Sequence, residues 1–298
     1  MDDLLTPYPN GTGRTAAIVE FLASRPDQTF TLSEVARFCG LQKSTAHKIL
    51  GTLHELGWVT RSPVDLRFGL GPTLIAIGQA AVETRPEVNL ARPVMQRMAI
   101  TFRRPCVLTT TLGLEILVLE VVGGTMRQGG AYAGQRVPLD APFGTVFVAW
   151  QEDDRRREWY GRSSIVSEDE VKVLERLLTA TRKRGYVITL HSDPRDRMAQ
   201  IMGAVSSERT IHDVRRILKE QIAHLPAAAY LMDSNPGAGS LAVESIQAPI
   251  FDADGEVRYA LSVGDIDSEL DRKAVSRYGA QVRKAADEVT AAIQLHSS

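Results

Sequence analysis

Between residues 14 and 71 three short amphipathic helical stretches run in succession, each closed by a breaker, and a two-stranded hairpin follows at once. In the first stretch Ile18, Phe21 and Leu22 recur at helical spacing until Arg25-Pro26-Asp27 ends it. The second begins at Leu32-Ser33-Glu34, with Thr31 or Ser33 as its cap. Leu32, Val35 and Phe38 form its apolar side and Gly40 stops it. The third runs from about Gln42 to Leu56, with Ala46, Ile49, Leu50, Leu53 and Leu56 on one face and Gly57 as the breaker. Trp58 to Arg61 and Leu66 to Gly69 are then the arms of a hairpin around the turn Ser62-Pro63-Val64-Asp65. Three helices and a hairpin in this order are the layout of a winged helix-turn-helix.

The remaining chain reads as α+β. Leu70 to Glu83 is helical and strongly apolar, and its Gly78 and Ala80-Ala81 allow close helix packing, which suits a dimer seam. A helix from Leu90 to Phe102 leads into strands at Cys106–Leu112, Ile116–Val122 and Arg136–Leu139. Helices are expected near Gly144–Trp150, Asp153–Tyr160 and Glu168–Arg184, then a strand at Tyr186–Leu190. Two strands, Ala242–Phe251 and Val257–Val263, meet at Asp252-Ala253-Asp254-Gly255, and a last helix runs from about Glu269 to Leu295. Strands joined by hairpins as well as helices exclude a repeated βαβ unit. The expected division is a flexible tail (1–13), a winged helix-turn-helix (14–71), a linker and dimerisation helix (72–86) and a C-terminal domain (87–298). An insert at about 191–240 carries an apolar stripe of Ile211, Val214, Leu218, Ile222 and Leu225.

Formal net charge is −1, so a surface for a polyanion has to be local. The third helix offers one. Opposite its apolar stripe stand Ser44, His47, Lys48 and Gly51, flanked by Lys43 and Thr45. Hydroxyls and helix N-terminal amides bond phosphate oxygens, lysines neutralise phosphates, and His or Lys reaches base edges in a major groove. Arg61 and Arg67 on the hairpin would add wing contacts, and Arg14, just ahead of the first helix, a contact from the other side. A polar face opposite an apolar one is what any surface helix shows. The distribution decides: Glu20, Asp27 and Glu34 lie in the preceding segments, and only Glu55 intrudes on this face. The expected partner is double-stranded operator DNA.

Other classes find little support. Nowhere do about 18 apolar residues run together, so no membrane span is expected. The N-terminus lacks a signal-peptide pattern. Cys39 and Cys106 lie far apart without CxxC spacing and read as reduced structural cysteines of a cytoplasmic protein. The six histidines show no ligand spacing, so no metal is expected, and Gly11-Thr12-Gly13-Arg14 follows no strand and is no dinucleotide loop. No nucleophile elbow, Cys–His pair or phosphate loop anchors catalysis, so neither enzyme nor cofactor is expected. Glu152 to Glu158 reads as a solvated helix with internal ion pairs.

The stretch LSEVARFCGLQKSTAHKILGTLHELGWVTRS, with RFGLGPTLIAIGQAA after it, resembles the DNA-binding half of the IclR family of bacterial transcription regulators. Its Phe68-Gly69-Leu70-Gly71 is similar to the signature that closes that family's wing. VPLDAPFGTVFVAW and SIQAPIFDADGEVRYALSV resemble segments of the family's C-terminal half. The resemblance implies a linker helix leading to a GAF-like α/β effector-binding domain. It places effector contacts at Ala141, Phe143, Gly144 and Thr145 and at the inward strand positions Ser245 and Ser262. In the turn Asp140 to Thr145, Pro142 suits a first helical turn and Gly144 lets a ligand approach the backbone. Free amides at a helix N-terminus attract carboxylates, so a small organic acid is the expected effector. The same turn is also what a well-capped helix shows.

The expected function is a ligand-responsive transcription regulator, repressor or activator, acting as a homo-oligomer (a dimer or a dimer of dimers). Two alternatives stand beside it. One is an enzyme with Asp140 or a neighbouring carboxylate as base. The other is a ligandless scaffold, with Phe143 filling the pocket and the insert binding a protein.

Overall fold

A computed structural model describes residues 10–124, 131–162, 168–190, 240–266 and 268–297. These fall into two compact units that part between Arg85 and Pro86.

The first unit holds α1 (Gly11–Ala23), α2 (Leu32–Phe38), α3 (Lys43–Glu55), β1 (Val59–Arg61), β2 (Phe68–Leu70) and α4 (Thr73–Glu83). Local chemistry starts the first two helices. The Asn10 side chain accepts the Gly13 N–H at 2.8 Å, and Thr31 with Glu34 forms a reciprocal capping box. The apolar stripes meet in one core of Ile18, Leu22, Val35, Leu50, Leu53 and Val59, in which Phe21 lies 4.7 Å from Phe30 and 4.8 Å from Phe38 between ring centroids. In the hairpin Val59 pairs with Leu70 and Arg61 with Phe68. Phe30 exchanges backbone hydrogen bonds of 2.9 and 2.7 Å with Phe68, so the wing is tied to the strip ahead of α2.

The base of the hairpin is a backbone-on-backbone contact. The Gly71 N–H donates to the Trp58 carbonyl at 2.7 Å, and a Cβ at position 71 would lie 2.1 Å from the Gly57 oxygen. The Thr73 N–H donates to the same Gly57 oxygen at 3.2 Å and so ties the first residue of α4 to that base. None of the residues of α4 is buried; Ile75 is 65% and Ile77 43% exposed.

Three details differ from the expectation. Because Asn10 caps it, α1 begins at Gly11, so residues 11–13 of the expected tail are helical and Arg14 stands inside the first turn instead of ahead of it. Helix α3 ends at Glu55, and Leu56, its C-cap, is 56% exposed where the apolar face was expected to bury it. Leu66 takes a left-handed φ of 59° and donates its N–H to Ser62 O at 3.0 Å, which delays the second strand to Phe68.

The second unit runs α5 (Pro86–Phe102), β3 (Cys106–Leu112), β4 (Glu115–Val122), β5 (Arg136–Pro138), α6 (Thr145–Val148), α7 (Asp153–Arg162), α8 (Glu168–Arg184), β6 (Val187–Leu190), β7 (Leu241–Phe251), β8 (Val257–Val263), β9 (Ser268–Leu270) and α9 (Arg272–Ser297). Its antiparallel sheet has the order β5-β4-β3-β8-β7-β6, with β9 also paired to β7. Strand alternation sorts the side chains to two faces. On one, Leu108, Ile246, Ala248, Leu261 and Val263 pack against Met95 of α5 and Val282, Ala286 and Val289 of α9. On the other, Val187 and Ala260 meet Val146, Trp159, Leu174 and Leu177 from α6 to α8. The architecture is an N-terminal helix-turn-helix domain followed by a C-terminal α/β domain. The helix expected over Gly144–Trp150 is a single turn, and β9 occupies the start of the expected last helix, which begins only after Asp271 caps it. The insert lies outside the described residues except for Ser240.

Both cysteines are buried, which pushes each thiol up to about 12. The thiolate is the reactive form. Native protein at pH 8 is therefore expected to take up no iodoacetamide in the time the urea-unfolded chain is fully labelled, as read by intact mass; rapid native labelling would place a thiol at the surface.

Candidate nucleic-acid interface and ligand-binding face

Helix α3 buries Ala46, Leu50 and Leu53. The geometry of a helix then sends Lys43, Ser44, His47, Lys48 and Gly51 outward; all five are exposed, and Thr45 is half-buried. Among the described residues Lys43 and Lys48 have no ion-pair partner, and the Ser44 and Thr45 hydroxyls make no hydrogen bond. The helix end is also open. Gln42 supplies no side-chain cap, and the first intrahelical bond is Ala46 N–H to Gln42 O at 3.0 Å. The amides of Lys43, Ser44 and Thr45 therefore face outward at the positive end of a 13-residue helix. A Cβ at Gly51 would meet nothing within 4 Å, so the fold does not require that glycine. A mid-helix glycine costs about 1 kcal/mol relative to alanine. A bare helix surface at that point is what close backbone approach to a duplex uses.

On the wing, Arg61 is exposed, with its guanidinium 5.4 Å from the Phe68 ring centroid. Arg67 is placed differently from the expectation. Its Nε and Nη2 donate to the Thr29 carbonyl at 3.0 and 2.6 Å, and Nη2 also reaches Glu34 Oε2 at 3.2 Å. The guanidinium is folded back onto the start of α2 and its charge is paired with Glu34. Arg14 is half-buried in α1.

In the second unit Ser245 and Ser262 lie on the sheet face that α6 to α8 cover. Ser245 is the register partner of Thr189, and Ser262 is the partner of Gln247. Directly paired Cβ atoms lie roughly 5 Å apart and diagonal ones roughly 7 Å, so these side chains form one polar group. All four are half-buried, and among the described residues none makes a side-chain hydrogen bond. The sequence reading missed Gln247 and Thr189. The signal for Gln247 was present: it stands two residues from Ser245 in a strand and so shares its face.

The turn from Asp140 to Thr145 corrects a physical argument. Ala141 is buried, the Phe143 carbonyl accepts Trp159 Nε1–H at 2.8 Å, and the Thr145 hydroxyl donates to Pro142 O at 2.8 Å. Gly144 has φ 78°, and a Cβ there would lie 2.2 Å from Leu139 Cδ1. Backbone conformation and packing account for this glycine, where an open approach for a ligand was expected. Helix α6 has only four residues, too short for a substantial end charge, so the attraction of a carboxylate to its amides loses its basis. Asp140 is paired with Arg162 at 3.1 Å, and the Arg162 Nη2 also donates to Leu139 O at 2.7 Å. Trp150 packs edge-on against Phe251 at 5.6 Å. No helix among the described residues is long and apolar enough to cross a membrane.

Comparison with known proteins agrees with this geometry. Residues 11–63 match the family described as the IclR helix-turn-helix domain, and residues 188–291 match the bacterial transcriptional regulator IclR C-terminal family. The chain is 24% identical to the DNA-binding transcriptional repressor YiaJ of Escherichia coli, over 86% of this chain and 78% of that one. Among solved structures, an IclR transcriptional regulator from Alicyclobacillus acidocaldarius superposes with a TM-score of 0.64 at 21% identity, over 94% and 97% of the two chains. An IclR homologue from Microbacterium hydrocarbonoxydans, complexed with 4-hydroxybenzoate, gives 0.62 at 20% identity, over 97% and 100%. Two matches to one family, one over the helix-turn-helix and one over the C-terminal part, together span more than half of the chain: the chain belongs to the IclR family and is a DNA-binding transcription regulator of that type.

Proposed function

We propose that this regulator senses a small organic acid and binds its operator as a homodimer or a dimer of dimers. The observation that carries the DNA half is the contrast within the first unit. Arg67 and Glu34 are paired with each other, whereas Lys43, Lys48 and the open end of α3 share one exposed face without partners. Helix α3 enters the major groove and Arg61 reaches the backbone beside it. The apolar side of α4, which no described residue of its own unit buries, is covered by the same helix of a second copy, and the resulting two-fold axis matches a palindromic operator.

The sensing half rests on the sheet face of Ser245, Gln247 and Ser262 beside the Phe143-Gly144 turn. Three hydroxyls, counting Thr189, and one carboxamide, none with a side-chain partner among the described residues, offer donors to a carboxylate or hydroxyl. Half-buried and bonded to no described side chain, these groups are open to a ligand in exchange for water. The ligand-bound relative supports an aromatic hydroxy acid as a first probe. Binding there shifts operator affinity, and by linkage operator DNA shifts ligand affinity by the same factor.

The test is a thermal-shift and duplex-binding panel of hydroxybenzoates and short hydroxy acids, run on the natural chain and on Ser245→Ala/Ser262→Ala. A compound expected to raise the melting point of the natural chain by several degrees should leave the variant unmoved, with duplex binding intact in its absence. Equal stabilisation of the variant would move the ligand site off this face.

A further inference from the structure

We propose that Arg67 is a positioning residue of the DNA interface: it touches no phosphate and instead holds the platform from which Arg61 reaches the duplex. This rests on the DNA-binding reading of α3 and the wing. The hairpin is small, with strands of three residues each, and a two-stranded ribbon of that size is marginal without outside support. The support is visible. From the foot of β2 the Arg67 guanidinium spans back to the Thr29 carbonyl at 2.6 and 3.0 Å and to the Glu34 carboxylate at 3.2 Å. Glu34 is itself aimed by the capping box, where Oε2 accepts the Thr31 N–H at 2.7 Å. That hydrogen bond is also the main reason its carboxyl is held below the usual range, so the anion that Arg67 needs is in place.

The next residue along is Phe68. Its backbone exchanges two hydrogen bonds with Phe30, its register partner across the hairpin is Arg61, and its ring lies under the Arg61 guanidinium. Loss of the Arg67 brace loosens Phe68 and with it the direction in which Arg61 points. Arg61 is exposed and has no carboxylate partner among the described residues, so it is the cation that gains from being aimed.

The experiment measures binding of the full chain to a mixed-sequence duplex by fluorescence anisotropy between about 50 and 200 mM salt. Arg61→Ala is expected to lower the salt slope by about one, the loss of one phosphate contact. Arg67→Ala in the natural background should weaken binding several-fold, yet in the Arg61→Ala background it should add almost nothing. Glu34→Gln keeps an acceptor for the Thr31 amide while removing the ion pair, and should weaken binding in the same direction. If Arg67→Ala does not fold, Glu34→Gln in the two backgrounds decides the same question.

Three results overturn the proposal. If the Arg61 and Arg67 effects multiply, the two side chains act independently. If Arg67→Ala removes a further unit of slope in the Arg61→Ala background, Arg67 contacts phosphate directly. If Arg67→Ala lowers the melting point and leaves duplex affinity unchanged in both backgrounds, its role is structural only. A natural chain that binds no duplex at about 50 mM salt sinks the DNA-binding reading and the inference together, and is distinguished from the other three by that alone.

Discussion

With Lys43 and Lys48 both replaced by alanine, duplex binding is expected to lose about two counterions from its salt slope and to weaken roughly 10- to 100-fold near 0.1 M salt. Both side chains are exposed on the face opposite the buried stripe of α3, and neither has a competing carboxylate among the described residues. Their full charge is therefore available, and neutralising it should be read almost entirely in the slope. Neither side chain packs in the core, so the melting point should stay within about a degree, since surface changes of this kind are usually within ±0.5 kcal/mol. An unchanged slope, at any affinity, would put both lysines outside the interface and remove α3 as the reading helix.

Gly71→Ala is expected to produce the largest loss of stability of any single methyl added to the first unit. All three atoms nearest to the new Cβ are backbone: Gly57 O at 2.1 Å, and Gly57 C and Trp58 C at 2.7 Å. A side chain rotates away from such a clash; a peptide plane held by hydrogen bonds does not. Gly57 is itself held on both sides: its N–H donates to His54 O at 3.0 Å and its carbonyl accepts the Thr73 N–H at 3.2 Å. Overpacking usually costs about 1–3 kcal/mol, and a rigid obstacle puts this case at the upper end or beyond. Thermal unfolding should show it as a fall of several degrees, together with faster amide exchange at Val59 and Arg61. A variant that melts and binds duplex like the natural chain would show that the hairpin base is not closed in this way.

What could be read from the sequence follows the reach of the interactions involved. The capping box of α2 spans three residues, the core stripes recur every three or four, and the hairpin turn is local, so the first unit was legible nearly to its ends. Asn10 was missed because the glycines after it resemble a loop, although a good cap starts a helix through them. The pairing of Arg67 was hidden for a different reason. Its partners stand 38 and 33 residues away in the chain, and only the folded core brings Thr29 and Glu34 to it. Gly144 shows a third limit. A glycine that lets a ligand approach and one that permits a left-handed turn against Leu139 look identical in a sequence, and only φ and the neighbouring atoms separate them. The polar sheet face was half legible: Ser245 and Ser262 came from family resemblance, and strand alternation alone would have added Gln247.

The joint at Gly57 and Gly71 also decides what happens to a force applied further along. The helix that follows is anchored at its first residue to the Gly57 carbonyl, next in the chain to the Trp58 carbonyl that receives the Gly71 N–H, so it leaves the head as a stiff spar rather than on a swivel. Its 11 residues span about 16 Å. In the proposed interface a tilt at the far tip bears on the hairpin base just behind α3, so a grip on Ile75 and Ile77 would work as a steering handle for the head.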